Sequence, residues 1–138
     1  MDLAQLKNTS DEQFKKDISF NAEMPDGTET DLVLTVKSAR NPDIKGKLAK
    51  LIGDLDKERV KLDRPNVSAE QYDKTAIKIS ELDKEIAKLV LVKFSGLTDG
   101  DKPYPCNKDT LAKLVDEHSW IREAIVQKST NQDAFYAV

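Results

Sequence analysis

The chain is poor in the residues that crosslink, ligate metals or catalyse. It holds one cysteine, Cys106, and one histidine, His118, in 138 residues. A single thiol excludes a disulfide within the chain, and one thiol with one imidazole falls short of a structural zinc set. Aromatic residues make up 6% of the sequence, with one tryptophan, Trp120. The core therefore has to be built from Leu, Ile, Val and Ala, and each aromatic becomes informative. Positive charge is not in surplus either: 22 Lys and Arg stand against 25 Asp and Glu, a formal charge of −3. Binding to nucleic acid would lack its usual driving force, the neutralisation of phosphates. Long apolar runs are missing. The longest aliphatic stretch, Leu89 to Val92, is flanked by Lys88 and Lys93, and Met1-Asp2-Leu3-Ala4-Gln5 has no basic segment leading into an apolar one. Neither a membrane span nor a standard export signal is expected. Low-complexity tracts and repeats at solenoid spacing are lacking too.

What remains is a patterned, charged sequence that reads as one α+β domain over 1–138. Ser10 and Gln13 have capping-box spacing and suggest a short amphipathic turn over 10–17 around Phe14. Ile18, Phe20, Ala22 and Met24 alternate with polar residues, Pro25-Asp26-Gly27 has turn chemistry, and Leu32, Leu34 and Val36 resume the two-residue period. This predicts a β-hairpin over 18–37 with one buried face. An isolated hairpin is marginal in water, so a helix, a third strand or another subunit has to cover it.

A long antiparallel helical hairpin is expected over 42–93. Asn41-Pro42 is a good helix entry, and Ile44, Leu48, Leu51 and Leu55 recur at helical spacing, predicting a first helix to about residue 62. Arg64-Pro65-Asn66 ends it. Ser68 and Gln71 form another capping-box pattern, and Tyr72, Ala76, Ile79, Leu82, Ile86, Leu89 and Val90 trace a stripe predicting a second helix to about Lys93. Glu70 with Lys74, Glu81 with Lys84, and Glu85 with Lys88 are spaced to pair on its exposed side. The segment Ser95 to Pro105 reads as an irregular loop because of its glycines and prolines. Short helices follow over 107–138: one capped by Asn107 or Asp109, one by Ser119, and a last turn after Asn131 bearing Phe135 and Tyr136.

No catalytic, cofactor or metal set emerges. Cys106 and His118 suggest a thiol nucleophile only if a base adjoins the sulfur, and no motif surrounds either residue. Asp99-Gly100-Asp101 begins like a calcium loop but lacks the later ligands. Near-balanced charges on the two long helices fit solvated surfaces. Trp120, Ile121 and Phe135 are open to two readings, core packing or a partner-binding edge, and Arg122 is divided in the same way.

The stretch from Val92 onward resembles the tail assembly chaperones of long-tailed bacteriophages. Lys93-Phe94-Ser95-Gly96-Leu97, then Lys102-Pro103-Tyr104-Pro105, then Ser119-Trp120-Ile121-Arg122-Glu123 and Asn131 to Phe135 follow the family's order and spacing, with the Trp-Ile-Arg-Glu tetrad the strongest match. The opening hairpin with Asp26-Gly27-Thr28 is similar to the family's first strands. The sequence departs from the family's pattern at Phe94, at Cys106-Asn107 and at Gln132-Asp133-Ala134. The resemblance implies a non-enzymatic protein of the host cytoplasm, without cofactor, that binds the helical tape measure protein during tail assembly. A tail tube protein is a further partner in such phages, and homo-oligomerisation is expected from the hairpin's open edge. The protein-binding residues would be Trp120, Ile121, Arg122, Phe135 and Tyr136. The competing reading is a permanent minor component of the tail or its connector.

Overall fold

Alternating apolar residues and two long amphipathic stretches give an α+β fold: a small antiparallel sheet followed by a helical hairpin and shorter helices. The computed structural model describes residues 1–131 and 134–135, the side chains of 7–11 aside. The first helix, α1 (Leu3–Lys15), is longer than the expected turn over 10–17 and starts earlier, where the Asp2 N–H donates to Gln5 Oε1 at 3.1 Å. Its last turn is anchored by buried Phe14, with the Arg40 guanidinium 5.6 Å from the ring centroid.

Strands β1 (Asp17–Glu23) and β2 (Glu29–Lys37) form the expected hairpin, with Ile18 opposite Val36 and Phe20 opposite Leu34. Gly27, at φ 87°, and Asp26, whose Oδ1 accepts from the Thr28 N–H at 2.9 Å, make the turn. That hydrogen bond also holds the Asp26 carboxyl below its usual pKa.

Helix α2 (Lys45–Leu62) begins three residues later than expected, because Asn41 and Pro42 belong to a preceding turn. Asn41 is buried there, and its Oδ1 accepts from the Asp43 N–H at 2.9 Å. Helix α3 (Ala69–Val90) starts at the expected capping box, where the Gln71 N–H donates to Ser68 Oγ at 3.1 Å. It ends three residues before Lys93. Leu91–Ser95 is instead β3, which pairs antiparallel with β2 and places Phe94 opposite Leu34. The third strand that the hairpin needed is thus the C-terminal continuation of the long helix.

The segment from Ser95 to Pro105 is not wholly irregular. Thr98–Asp99 (β4) and Lys102–Pro103 (β5) pair in a two-stranded ribbon. Gly96 is required before it, since φ is 76° and a Cβ would run into the Asp31 carbonyl. Helix α4 (Lys108–Glu117) is capped by Asn107, whose Oδ1 accepts from the Thr110 N–H at 3.0 Å. Helix α5 (Ser119–Thr130) starts at the expected place, but His118 holds the cap position and Ser119 is already helical. Ala134 and Phe135 are helical, whereas Tyr136 and residues 132, 133, 137 and 138 lie outside the described residues.

The core sits between one face of the sheet and the helices. Ile18, Ala22, Leu34, Val36 and Phe94 meet Ile86, Val90, Val115, Ile121, Ile125 and Phe135. Helix α5 is locked to the end of β2: Ser129 Oγ donates to the Lys37 carbonyl at 2.8 Å, and the Ala39 N–H donates to the Ser129 carbonyl at 2.9 Å. The opposite face of the sheet is polar, with Ser19 and Thr35 hydroxyls 2.7 Å apart.

The stripe on α3 is buried only in its C-terminal half. Ile86 and Val90 are in the core and Leu82 is half-buried, but Tyr72 and Ala76 are exposed. Helix α2 meets the rest of the fold chiefly through α3. The last turns of α2 and the first turns of α3 therefore extend beyond the core as an arm, the far ends of helices about 27 and 33 Å long at 1.5 Å per residue. Glu70–Lys74 and Glu81–Lys84 pair at 3.3 and 3.7 Å, while Lys88 pairs with Asp116 of α4 at 2.8 Å rather than with Glu85.

Candidate protein-binding surface

The five residues that the sequence brought forward separate by depth. Ile121 is 2% exposed and Phe135 is fully buried, so neither has surface to offer a partner in this conformation. Tyr136 lies outside the described residues. Arg122 is partly exposed, but its guanidinium is engaged: Nη1 donates to the carbonyls of Val115 and Asp116 at 2.8 and 3.2 Å. Those are carbonyls of the last turn of α4, and a cation there also complements the negative end of the helix. Arg122 is thereby a clamp between α4 and α5. Among the four of them that are described, Trp120 is the one that combines contact with the core and an accessible side free of such a clamp.

Trp120 lies one residue into α5 and lines a groove of about 630 Å³ between that helix and the turn end of the β1–β2 hairpin. Phe20 and Met24 supply further apolar lining, and Lys128 Nζ sits 5.5 Å from the Phe20 ring centroid. Glu23, Glu29, Glu123 and Lys128 also line the groove. Polar and charged side chains thus share the lining with three large apolar ones, a mixed composition like that of protein-recognition surfaces in general.

The arm carries further apolar residues that are singly exposed. Val60 on α2 is 58% exposed, and Tyr72 and Ile77 on α3 are 52% and 63% exposed. Between the two helices, Glu58 is held by Lys61 at 3.0 Å and Lys78 at 3.7 Å, in a groove of about 660 Å³. The hydrogen bond from Lys61 and the positive charge of both lysines keep the Glu58 carboxyl below its ordinary pKa. The sequence does not mark Val60, Tyr72 and Ile77 as binding residues: Tyr72 belongs to the helical stripe that elsewhere fills the core, and Val60 and Ile77 are isolated apolar residues outside either stripe.

The remaining chemistry-bearing residues are dispersed. Cys106 is exposed, and its sulfur accepts the Phe94 N–H at 3.4 Å, which closes part of the β3 edge. Among the described residues there is no group of three or more His, Cys, Asp or Glu placed to hold a metal ion, and no helix long and apolar enough to cross a membrane. No family model, curated protein or solved structure matches the chain.

Proposed function

We propose that this chain is a phage tail assembly chaperone, a non-enzymatic binding protein of the host cytoplasm that holds the tape measure protein before the tail tube forms around it. The observation that carries the reading is the projecting α2–α3 arm, whose Val60, Tyr72 and Ile77 are left uncovered by the chain's own fold. Tyr72 and Ile77, five residues apart, lie about 140° from each other around α3, so a long helical partner would seat its apolar face against one of them, in the helix-in-groove mode. The resemblance from Val92 onward supplies the context, and the Trp120 groove adds a second contact area beside the hairpin.

Co-expression of the full chain with the tape measure protein of the same genome tests this. The two should co-purify, and Tyr72→Glu with Ile77→Glu should abolish capture while leaving the melting temperature unchanged. Purified virions should contain at most traces of the chain. Presence in virions at fixed stoichiometry would instead establish the competing reading, a permanent tail or connector component. That reading draws on the outer edge of β1, which no strand among the described residues pairs.

A further inference from the structure

The backbone of β1 has an open side, and the register shows which groups face outward. Sheet order is β1-β2-β3, so among the described residues no strand lies beyond β1. The Phe94 N–H points to Cys106 Sγ and therefore away from β2. Antiparallel partners alternate between pairs that exchange both backbone bonds and pairs that exchange none. Phe94 and Leu34 are thus a pair that exchanges none, and Leu34 turns its N–H and C=O toward Phe20 instead. By the same alternation, Ser19 and Asn21 direct their N–H and C=O groups out of the sheet. The Trp120 groove runs beside that edge, lined by Phe20, Asn21 and Trp120.

Charge restricts what can pair there. Glu23 and Glu29 are cross-strand partners of like sign at the end of the hairpin, and Glu123 faces the same groove from α5. Like charges directly opposite each other destabilise a ladder. A second copy paired antiparallel through its own β1, centred on Phe20, would set Asp17 against Glu23 at both ends, so that register of self-pairing is disfavoured.

We propose that the β1 edge and the adjoining Trp120 groove form a strand-addition site for an extended segment of another protein, with apolar side chains at alternate positions and lysine or arginine between them. Ser19 and Asn21 supply the main-chain ladder, Phe20 and Trp120 receive the apolar side chains, and Glu23 and Glu29, at the end of the hairpin, receive the cations. This mode differs from helix capture by the arm and stands or falls separately from it.

The single tryptophan makes the site directly readable by fluorescence. An alternating lysine–valine octapeptide, added to the full chain, should shift Trp120 emission saturably and slow amide exchange at Ser19 and Asn21. The same peptide with alternate backbone nitrogens methylated, and a glutamate–valine counterpart, should each bind on the order of tenfold more weakly or worse. Glu23→Lys with Glu29→Lys, in a chain of unchanged melting temperature, should weaken the lysine–valine peptide to a similar extent. Equal binding of the methylated peptide would overturn the ladder, and equal binding of the glutamate peptide would overturn the charge preference. Concentration-dependent protection of the Ser19 and Asn21 amides without any peptide would give the edge to a second copy and overturn the proposal.

Discussion

Arg122 Nη1 lies 2.8 Å from the carbonyl oxygen of Val115, one of the last carbonyls of α4. The arginine of the Trp-Ile-Arg-Glu tetrad thus fastens two consecutive helices across the break at His118. Arg122→Ala should lower stability by about 1.5–3 kcal/mol, the usual contribution of a hydrogen bond from a charged donor. Denaturant titration would measure it, and Arg122→Lys, which lacks the planar fork, should recover only part of the loss. An unchanged midpoint in Arg122→Ala would show that the clamp contributes nothing.

Phe135 is fully buried although it lies three residues before the last residue given. Phe135→Ala should cost about 3–5 kcal/mol through lost burial and the cavity left behind. Loss of partner capture by this variant would therefore have to be separated from unfolding, by circular dichroism at the assay temperature.

The two halves of the α3 stripe should respond differently to charge. Ile86 is 4% exposed and faces the sheet core, so Ile86→Asp should destabilise by more than about 4 kcal/mol and abolish cooperative melting. Leu82, half-buried where the arm leaves the body, can turn a carboxylate toward water. Leu82→Asp should keep a two-state transition at a lower midpoint, and equal loss in both variants would place the arm's base inside the core.

Glu58 gives the arm an acid-dependent element. Its pKa is depressed below the ordinary 4.5, first by the Lys61 hydrogen bond and then by the charges of Lys61 and Lys78. A depressed carboxyl stabilises the fold above its unfolded pKa, and that stabilisation is lost as pH falls through the folded value. Stability should therefore decline below about pH 4.5, and Glu58→Gln should flatten the decline. Melting temperature across pH 3 to 7 for both chains measures the difference.

Much of this fold was legible locally. The hairpin turn at Asp26-Gly27, the Ser68–Gln71 capping box and the Asn107 cap act within a few residues, so the signal and the structure it dictates lie together. Alternation from Ile18 to Val36 likewise determined which sheet face is buried. Local signals misled where two neighbours competed for the same residues. The capping-box spacing of Ser10 and Gln13 lies within a helix that begins at Leu3, and Asn41-Pro42 forms a turn of its own before α2.

Of the surface, little could be read. The spacing of Tyr72, Ile79, Leu82 and Ile86 declares one helix face, and the sequence by itself determined that face and its helical period. How far along the face the core extends depends on where β2 and α5 end. Only the tertiary structure decided that Ile86 is buried and Tyr72 exposed, and that Leu91 to Ser95 leaves the helix for the sheet. Leu-Val-Leu-Val suits either period, and the ladder groups offered by β2 choose the strand. The same holds for Arg122 and Phe135, whose partners lie in other elements brought near by the packing of the helices on the sheet, beyond the reach of any local pattern.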